Sequence, residues 1–175
     1  MRSRRCTIDS SCIIALDHLQ LVPQLSVLFS PVLVPKAVRN ELFKLRATKD
    51  RLQFIFSTYG FFQPCDGYDQ GTVDFLLAER ARLGVKDRGE VEAVVQASKF
   101  GAEVIVDDPW GRDLAMRADL DFHVTVQVLQ QLYELGLLST TLRECFSVLR
   151  DRGLRLPWET INELLVSIGE EPLKA

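Results

Sequence analysis

Histidine and paired cysteine are what this 175-residue sequence has least of: two histidines, His18 and His123, and four cysteines, none in a CxxC pair. That excludes a zinc site of the usual spacing, which draws nitrogen and sulfur ligands from close sequence pairs. Cys6, Cys12, Cys65 and Cys145 read as reduced thiols of a cytoplasmic protein. An excess of positive charge is missing too. Lys and Arg number 21 against 24 Asp and Glu, a net charge of −3, so charge alone does not fit the chain to grip a long nucleic acid. No apolar run approaches the ~18–20 residues of a membrane span, and no membrane partner is expected. The start, MRSRRCTIDSSCIIAL, mimics a secretion leader, but Asp9 interrupts its apolar part and Asp17 closes it, so that reading is rejected. There is no internal repeat and no low-complexity linker. The expectation is one domain over residues 1–168 with a short tail over 169–175.

What the sequence does have is alternation. Short apolar segments at 5–8, 31–34, 61–62, 104–106 and 122–124 read as strands. Helical patterns follow them: after Asp9, from Pro35, over 48–58, 71–82 and 90–100, from Pro109, and over 125–135, 140–151 and 157–168. Strand and helix in alternation predict an α/β fold with a central, mainly parallel sheet of about five strands, covered on both faces. Sites in such folds form along the C-terminal strand ends.

Acids gather at those ends. Asp9 stands where the first strand turns into a helix, and a plain N-cap is the rival account of it. Glu41 lies on an apolar stripe with Val38, Leu42 and Leu45, where an unpaired carboxylate is costly. Asp87-Arg88-Gly89-Glu90 matches a capping box, the rival account of Glu90. Helical phase puts Glu90 on a flank with the small residues Ala93 and Ala97. It puts Glu92 on the solvent face with Gln96 and Lys99, and Val91, Val94, Val95 and Ser98 on the core side. Asp107 and Asp108 end the fourth strand; an N-cap explains Asp108 but not both. Carboxylates that converge repel one another, and a divalent cation is the common physical solution. His123, alone among apolar residues, reads as a core histidine. The basic residues of 44–88 (Lys44, Arg46, Lys49, Arg51, Arg80, Arg82, Lys86, Arg88) read mostly as solvated helix faces, a few of them facing phosphates.

Four segments in order, IDSSCIIAL, VPKAVRNEL, RGEVEAVVQA and VIVDDPWGRDLA, resemble the PIN-domain family of metal-dependent ribonucleases, most closely its VapC-like toxin branch. VTVQVLQQLYELGLL resembles that branch as well, and the likeness spans roughly residues 5–165. It implies a three-layer α/β/α PIN-like fold and an endoribonuclease that hydrolyses RNA with Mg²⁺ or Mn²⁺. It implies Asp9, Glu41, Glu90 and Asp108 as the acidic site, with Asp9 and Asp108 as direct ligands. Glu41 and Glu90 would hold metal-bound waters or orient the nucleophile. Asp107 stays open as the strand-end ligand in place of Asp108, and Ser10 matches a substrate-contacting hydroxyl. Implied partners are an RNA substrate, an antitoxin protein and a second copy in a homodimer. One departure is Val126-Gln127-Val128, where that branch usually carries glycine. Two other classes compete. A receiver-like phosphoryl acceptor would need a lysine after a later strand, and none is near Thr125. A non-catalytic PIN-like protein that only binds a partner is separated from the nuclease by activity alone.

Overall fold

A computed structural model describes residues 4–44, 49–82 and 87–173. Strand β1 (Arg4–Ile8) runs into α1 (Ser10–His18), a single 3₁₀ turn (Val22–Gln24) and the short α2 (Leu25–Leu28). β2 (Phe29–Pro35) leads directly into α3 (Lys36–Lys44), then α4 (Lys49–Thr58) and β3 (Phe62–Cys65). α5 (Gln70–Ala81) and α6 (Arg88–Phe100) precede β4 (Glu103–Ile105). α7 (Pro109–Arg117), β5 (Phe122–His123), α8 (Thr125–Glu134), α9 (Leu142–Asp151) and α10 (Trp158–Ser167) complete the chain.

All recorded strand pairs are parallel, in the order β3-β2-β1-β4-β5. β1 is central. The chain steps outward from it to one side through β2 and β3, then returns to its other side through β4 and β5. The gap at the C-terminal ends of β1 and β4 is therefore the topological switch point, where open α/β sheets hold their ligands.

Side-chain alternation builds the two outer layers. Cys6, Ile8, Val32, Val34, Phe62 and Ile105 join the larger core with α1, α8, α9 and α10. Leu33, Val104 and Val106 point the other way, onto Ala93, Val94 and Ala97 of α6 and Leu114 and Ala115 of α7. Thr7 also faces α6, and its hydroxyl donates to the Ala93 carbonyl at 2.8 Å. The small Ala93 lets the helix come that close. α6 ends at Gly101, whose φ of 56° is the left-handed cap that glycine takes readily. The fold is the expected three-layer α/β/α arrangement with an all-parallel sheet.

Some local readings needed correction. α2 and the turn before it were too short to show a period. β3 runs on to Cys65 and contains Pro64, which is tolerated because β3 is an edge strand. Residues 169–173 dock: Glu170 accepts from the Leu142 and Arg143 amides at the start of α9, and Leu173 is buried. Arg51 is not merely solvated, since its Nε donates to the buried Asp17 carboxylate at 2.7 Å and ties α4 to α1. Leu45, Arg46 and Lys86 lie outside the described residues. No single helix among the described residues is long and apolar enough to cross a membrane.

Candidate active site

Asp9 closes β1 and caps α1. Its amide donates to the Ile105 carbonyl at 3.0 Å, which pins the turn to the end of β4. Oδ2 accepts from the Ser11 amide (3.2 Å) and hydroxyl (2.7 Å), so the capping account holds for that oxygen. Oδ1 is buried and has no hydrogen-bond partner. Each oxygen thus has its own task, and the cap does not exhaust the residue.

Two more carboxylates meet Asp9. Glu41 comes from α3, and the Ser10 hydroxyl donates to its Oε2 at 2.6 Å. Asp87 caps α6 by accepting from the Gly89 amide at 3.1 Å. One oxygen from each of Asp9, Glu41 and Asp87 lies within 4.8 Å of the others. The backbone of Gly89 forms a wall of this cradle. A Cβ there would stand 3.1 Å from Glu41 Oε2 and 3.2 Å from Asp9 Oδ1, so glycine keeps the approach to the acids clear.

The remaining acids are engaged elsewhere. Glu90 is buried and paired with Arg80, itself 2% exposed. The Arg80 guanidinium also stands 3.5 Å from Asp108 Oδ1 and lies 4.6 Å over the Trp110 ring, a stacked cation–π contact. Asp108 caps α7 by accepting from the Trp110 and Gly111 amides. Asp107 accepts from the Thr125 amide (2.7 Å) and hydroxyl (2.6 Å), which fastens β4 to the start of α8. So the structure joins Asp9 and Glu41 directly, gathers Glu90 and Asp108 around an arginine, and gives Asp107 to Thr125. Ser10, expected at the substrate, is bonded to Glu41. His123 meets Glu103 at 2.5 Å and packs on Phe29, as a core histidine does.

Asp87, Arg80, Glu92, Gln96 and Ser98 depart from the sequence expectations, and Gln96, expected at the surface, is buried. A cap pattern accounts for Asp87 by itself, and nothing in it says that the carboxylate also meets an acid 78 positions earlier. Arg80 reads from the sequence as a solvated cation. Glu92, assigned to solvent, is 1% exposed and accepts from the Ala37 amide (2.9 Å) and Arg88 Nε (2.6 Å). Ser98, assigned to the core, is exposed. The burial of Glu92 and Gln96 has one cause. α6 is packed by the sheet, α3, α5 and α7, so it has no single buried face.

Burial dominates the electrostatics. It pushes the Asp9 carboxyl up to about 6, the Ser11 hydroxyl opposes the rise, and the charge of Asp87 adds to it. Burial likewise raises Glu41, with Ser10 opposing and Asp87 and Asp9 adding. Glu90 is lifted by burial and held back by Arg80. Burial of the charged form is the first cause at all three acids, and at Asp9 and Glu41 the neighbouring carboxylates add to it. An all-oxygen donor set, an unpartnered buried oxygen and a cleared approach at Gly89 suit a hard divalent ion such as Mg²⁺ or Mn²⁺.

Tight packing extends around Glu90. A methyl group at Gly111 would come within 2.6 Å of Val106 Cγ2, with Glu90 close behind at 3.5 Å. Gly→Ala in a helix ordinarily stabilises by roughly 1 kcal/mol. Here Gly111→Ala is expected instead to destabilise by about 1–3 kcal/mol through overpacking, read by urea denaturation.

No curated protein matches the chain closely enough to count as a relative. A family model described as a PIN domain, DUF3368, matches residues 5–170. That span takes in β1 through α10 and every acid described above, and so the chain belongs to the PIN-domain family.

Proposed function

We propose that the protein is an endoribonuclease that hydrolyses RNA phosphodiester bonds with a single Mg²⁺ or Mn²⁺ held by Asp9, Glu41 and Asp87. PIN domains are typically nucleases, and the observation that carries the metal assignment is the clustering of Asp9, which has a buried oxygen without a hydrogen-bond partner, with two further carboxylates. A divalent cation bound there supplies Lewis acidity, which makes water nucleophilic near neutral pH and neutralises charge at the phosphate. The chain supplies the rest. Asp9, Glu41 and Asp87 bind the ion, Ser11 and Ser10 orient Asp9 and Glu41, and the Ile105 carbonyl holds the Asp9 turn in place. Arg80 pairs with the buried Glu90 and stands 3.5 Å from Asp108, so in this reading these two acids lie outside the ligand set.

Incubation of the purified protein with end-labelled RNA in Mg²⁺ or Mn²⁺ tests the activity: cleavage that stops in excess chelator supports it, and cleavage that continues overturns it. Metal number is tested by Mn²⁺ titration. Wild type is expected to bind one ion and Asp87→Asn to bind it at least ~10-fold more weakly, the scale of lost ligand support. Glu90→Gln is expected to bind as wild type does. A second ion in wild type that Glu90→Gln loses would return Glu90 to the ligand set.

The same reading makes the protein the toxin of a toxin–antitoxin pair, acting in the cytoplasm. Its support is the VapC-like pattern of the four motifs. Phe54 of α4 and Phe75 of α5, 65% and 71% exposed, are aromatic anchors suited to an antitoxin segment or a second copy. A small regulator gene adjoining this one, whose product silences cleavage, is the expected finding.

A further inference from the structure

Beside the acidic cradle lies a cleft of about 340 Å³, and Glu41 belongs to both. One wall is α3. Lys36, Asn40 and Lys44 recur every four residues and form one exposed face of that helix, flanking Glu41. The opposite wall is Tyr68 with Arg88 behind it. Arg88 Nη2 donates to the Tyr68 hydroxyl at 3.4 Å and to Gln70 Oε1 at 3.2 Å, and its Nε holds Glu92. Glu92 in turn accepts from the Ala37 amide at the start of α3. Arg39 meets Asp66 at 2.5 Å and ties α3 to the loop that carries Tyr68. Both walls are therefore held in place by bonds across the cleft.

The charges sort themselves. Glu92 is matched by Arg88 and a helix-terminal amide, and Glu41 faces the cation site. Lys36 and Lys44 are exposed on an open face, with Lys44 near enough to Glu41 to favour its charged form. A half-buried aromatic ring, an amide side chain and two lysines next to a phosphate-cleaving centre match the chemistry of one nucleotide: a π-face for the base, hydrogen bonds for its edge, cations for the phosphates. The volume is at the small end of ligand pockets, ~300–1,000 Å³, so the cleft takes one nucleotide unit and not several.

We propose that this cleft, between Lys36, Asn40 and Lys44 of α3 and Tyr68, is the subsite for one unstacked nucleotide of a single-stranded RNA adjoining the scissile phosphate. The assignment rests on the nuclease reading, and it makes the enzyme a single-strand cutter, because a base inside a duplex cannot present its face to Tyr68. It also gives Glu92 and Arg88 a purpose as positioning residues for the Tyr68 ring.

The test measures binding apart from cleavage, with wild-type protein in EDTA and two fluorescein-labelled probes: a single-stranded hexaribonucleotide and the same sequence as a duplex. Wild type is expected to bind the single strand more tightly than the duplex. Tyr68→Ala is expected to weaken single-strand binding by about 5- to 150-fold, the range for loss of one stacked base. Tyr68→Phe is expected to keep most of the affinity. Lys36→Ala with Lys44→Ala should lower the slope of log affinity against log salt by ~1.4, about 0.7 for each phosphate contact. Both lysines are exposed, so that variant folds even if Tyr68→Ala does not. Lys99→Ala, outside the cleft, serves as the unchanged control. Equal binding by wild type and the cleft variants overturns the subsite, as does no single-strand binding by wild type. A wild type that cleaves RNA while the cleft variants bind normally sinks the subsite alone. A wild type that binds as expected and cleaves nothing in Mg²⁺ or Mn²⁺ sinks the nuclease reading alone.

Discussion

Asp9→Asn is expected to lose cleavage and, in metal-free buffer, to gain stability. The two effects have one origin. Asparagine is as good an N-cap as aspartate, so the Ser11 contact and the start of α1 survive the change. What disappears is a buried negative charge. Burial, with Asp87 adding, raises the Asp9 carboxyl from 3.8 to about 6. Native protein therefore holds the proton more tightly than unfolded protein does. The contribution of Asp9 to metal-free stability is fully present below about pH 4 and is lost as pH rises through 6, about 3 kcal/mol in all. The asparagine variant lacks this loss. At pH 7.5 in EDTA its denaturation midpoint should exceed that of wild type by the equivalent of about 2–3 kcal/mol. Adding Mg²⁺ should then stabilise wild type by mass action and leave the variant unmoved. Loss of groups that merely support metal ligands costs ~10–100-fold, so loss of a direct ligand should slow cleavage by more than ~100-fold. Equal cleavage by the variant, or no gain of stability in EDTA, would refute the role given to Asp9.

Arg80→Met carries the largest expected cost to the fold. Its guanidinium sits between Glu90 and Asp108 and over Trp110, almost wholly out of water. Methionine keeps much of the volume and removes the charge, which leaves Glu90 buried without its cation. Breaking one side of a buried ion pair costs about 3–5 kcal/mol, mostly the penalty for the partner left behind. The double variant Arg80→Met with Glu90→Gln should recover a large part of that cost, because no charge is then stranded. Additive losses in the two single variants would mean that the pair is not coupled. Trp110 offers a second readout, since removing the cation over its ring should shift its fluorescence even where the fold survives.

The acids were legible for different reasons, and those reasons decide what was missed. Glu41 stood out because it interrupts an apolar stripe. Asp9 and the Asp107-Asp108 pair stood out because they end strands of a parallel sheet. Glu90 was separated from Glu92 by helical phase, and it is indeed buried. Yet Glu92 is buried too, since α6 is enclosed on several sides and periodicity locates only one. Asp87 was hidden by a sufficient explanation: an N-cap accounts for the residue type, and its second role depends on residues 9 and 41 arriving from elsewhere. Arg80 was hidden by distance of another kind. Its partners lie 10 and 28 positions away on different helices, and a lone arginine on a helix looks solvated until the neighbouring helices are placed. The parallel sheet covered on both faces followed from alternation, the strand order did not, and strand ends moved by one to three residues where proline or short length blurred the pattern.

The sheet has a consequence for the life of the chain. Every recorded strand pair is parallel, so none is closed by a hairpin, and each strand waits for a crossover before it finds its neighbour. β1 gains its second neighbour only when β4, about 95 residues later, has been made. The Asp9 turn leans on the Ile105 carbonyl at that very junction. During synthesis the acidic cradle therefore lacks its support until more than half of the protein has left the ribosome. Until β4 is in place, the turn that carries Asp9 has no Ile105 carbonyl to rest on, and the cradle of Asp9, Glu41 and Asp87 is not yet assembled.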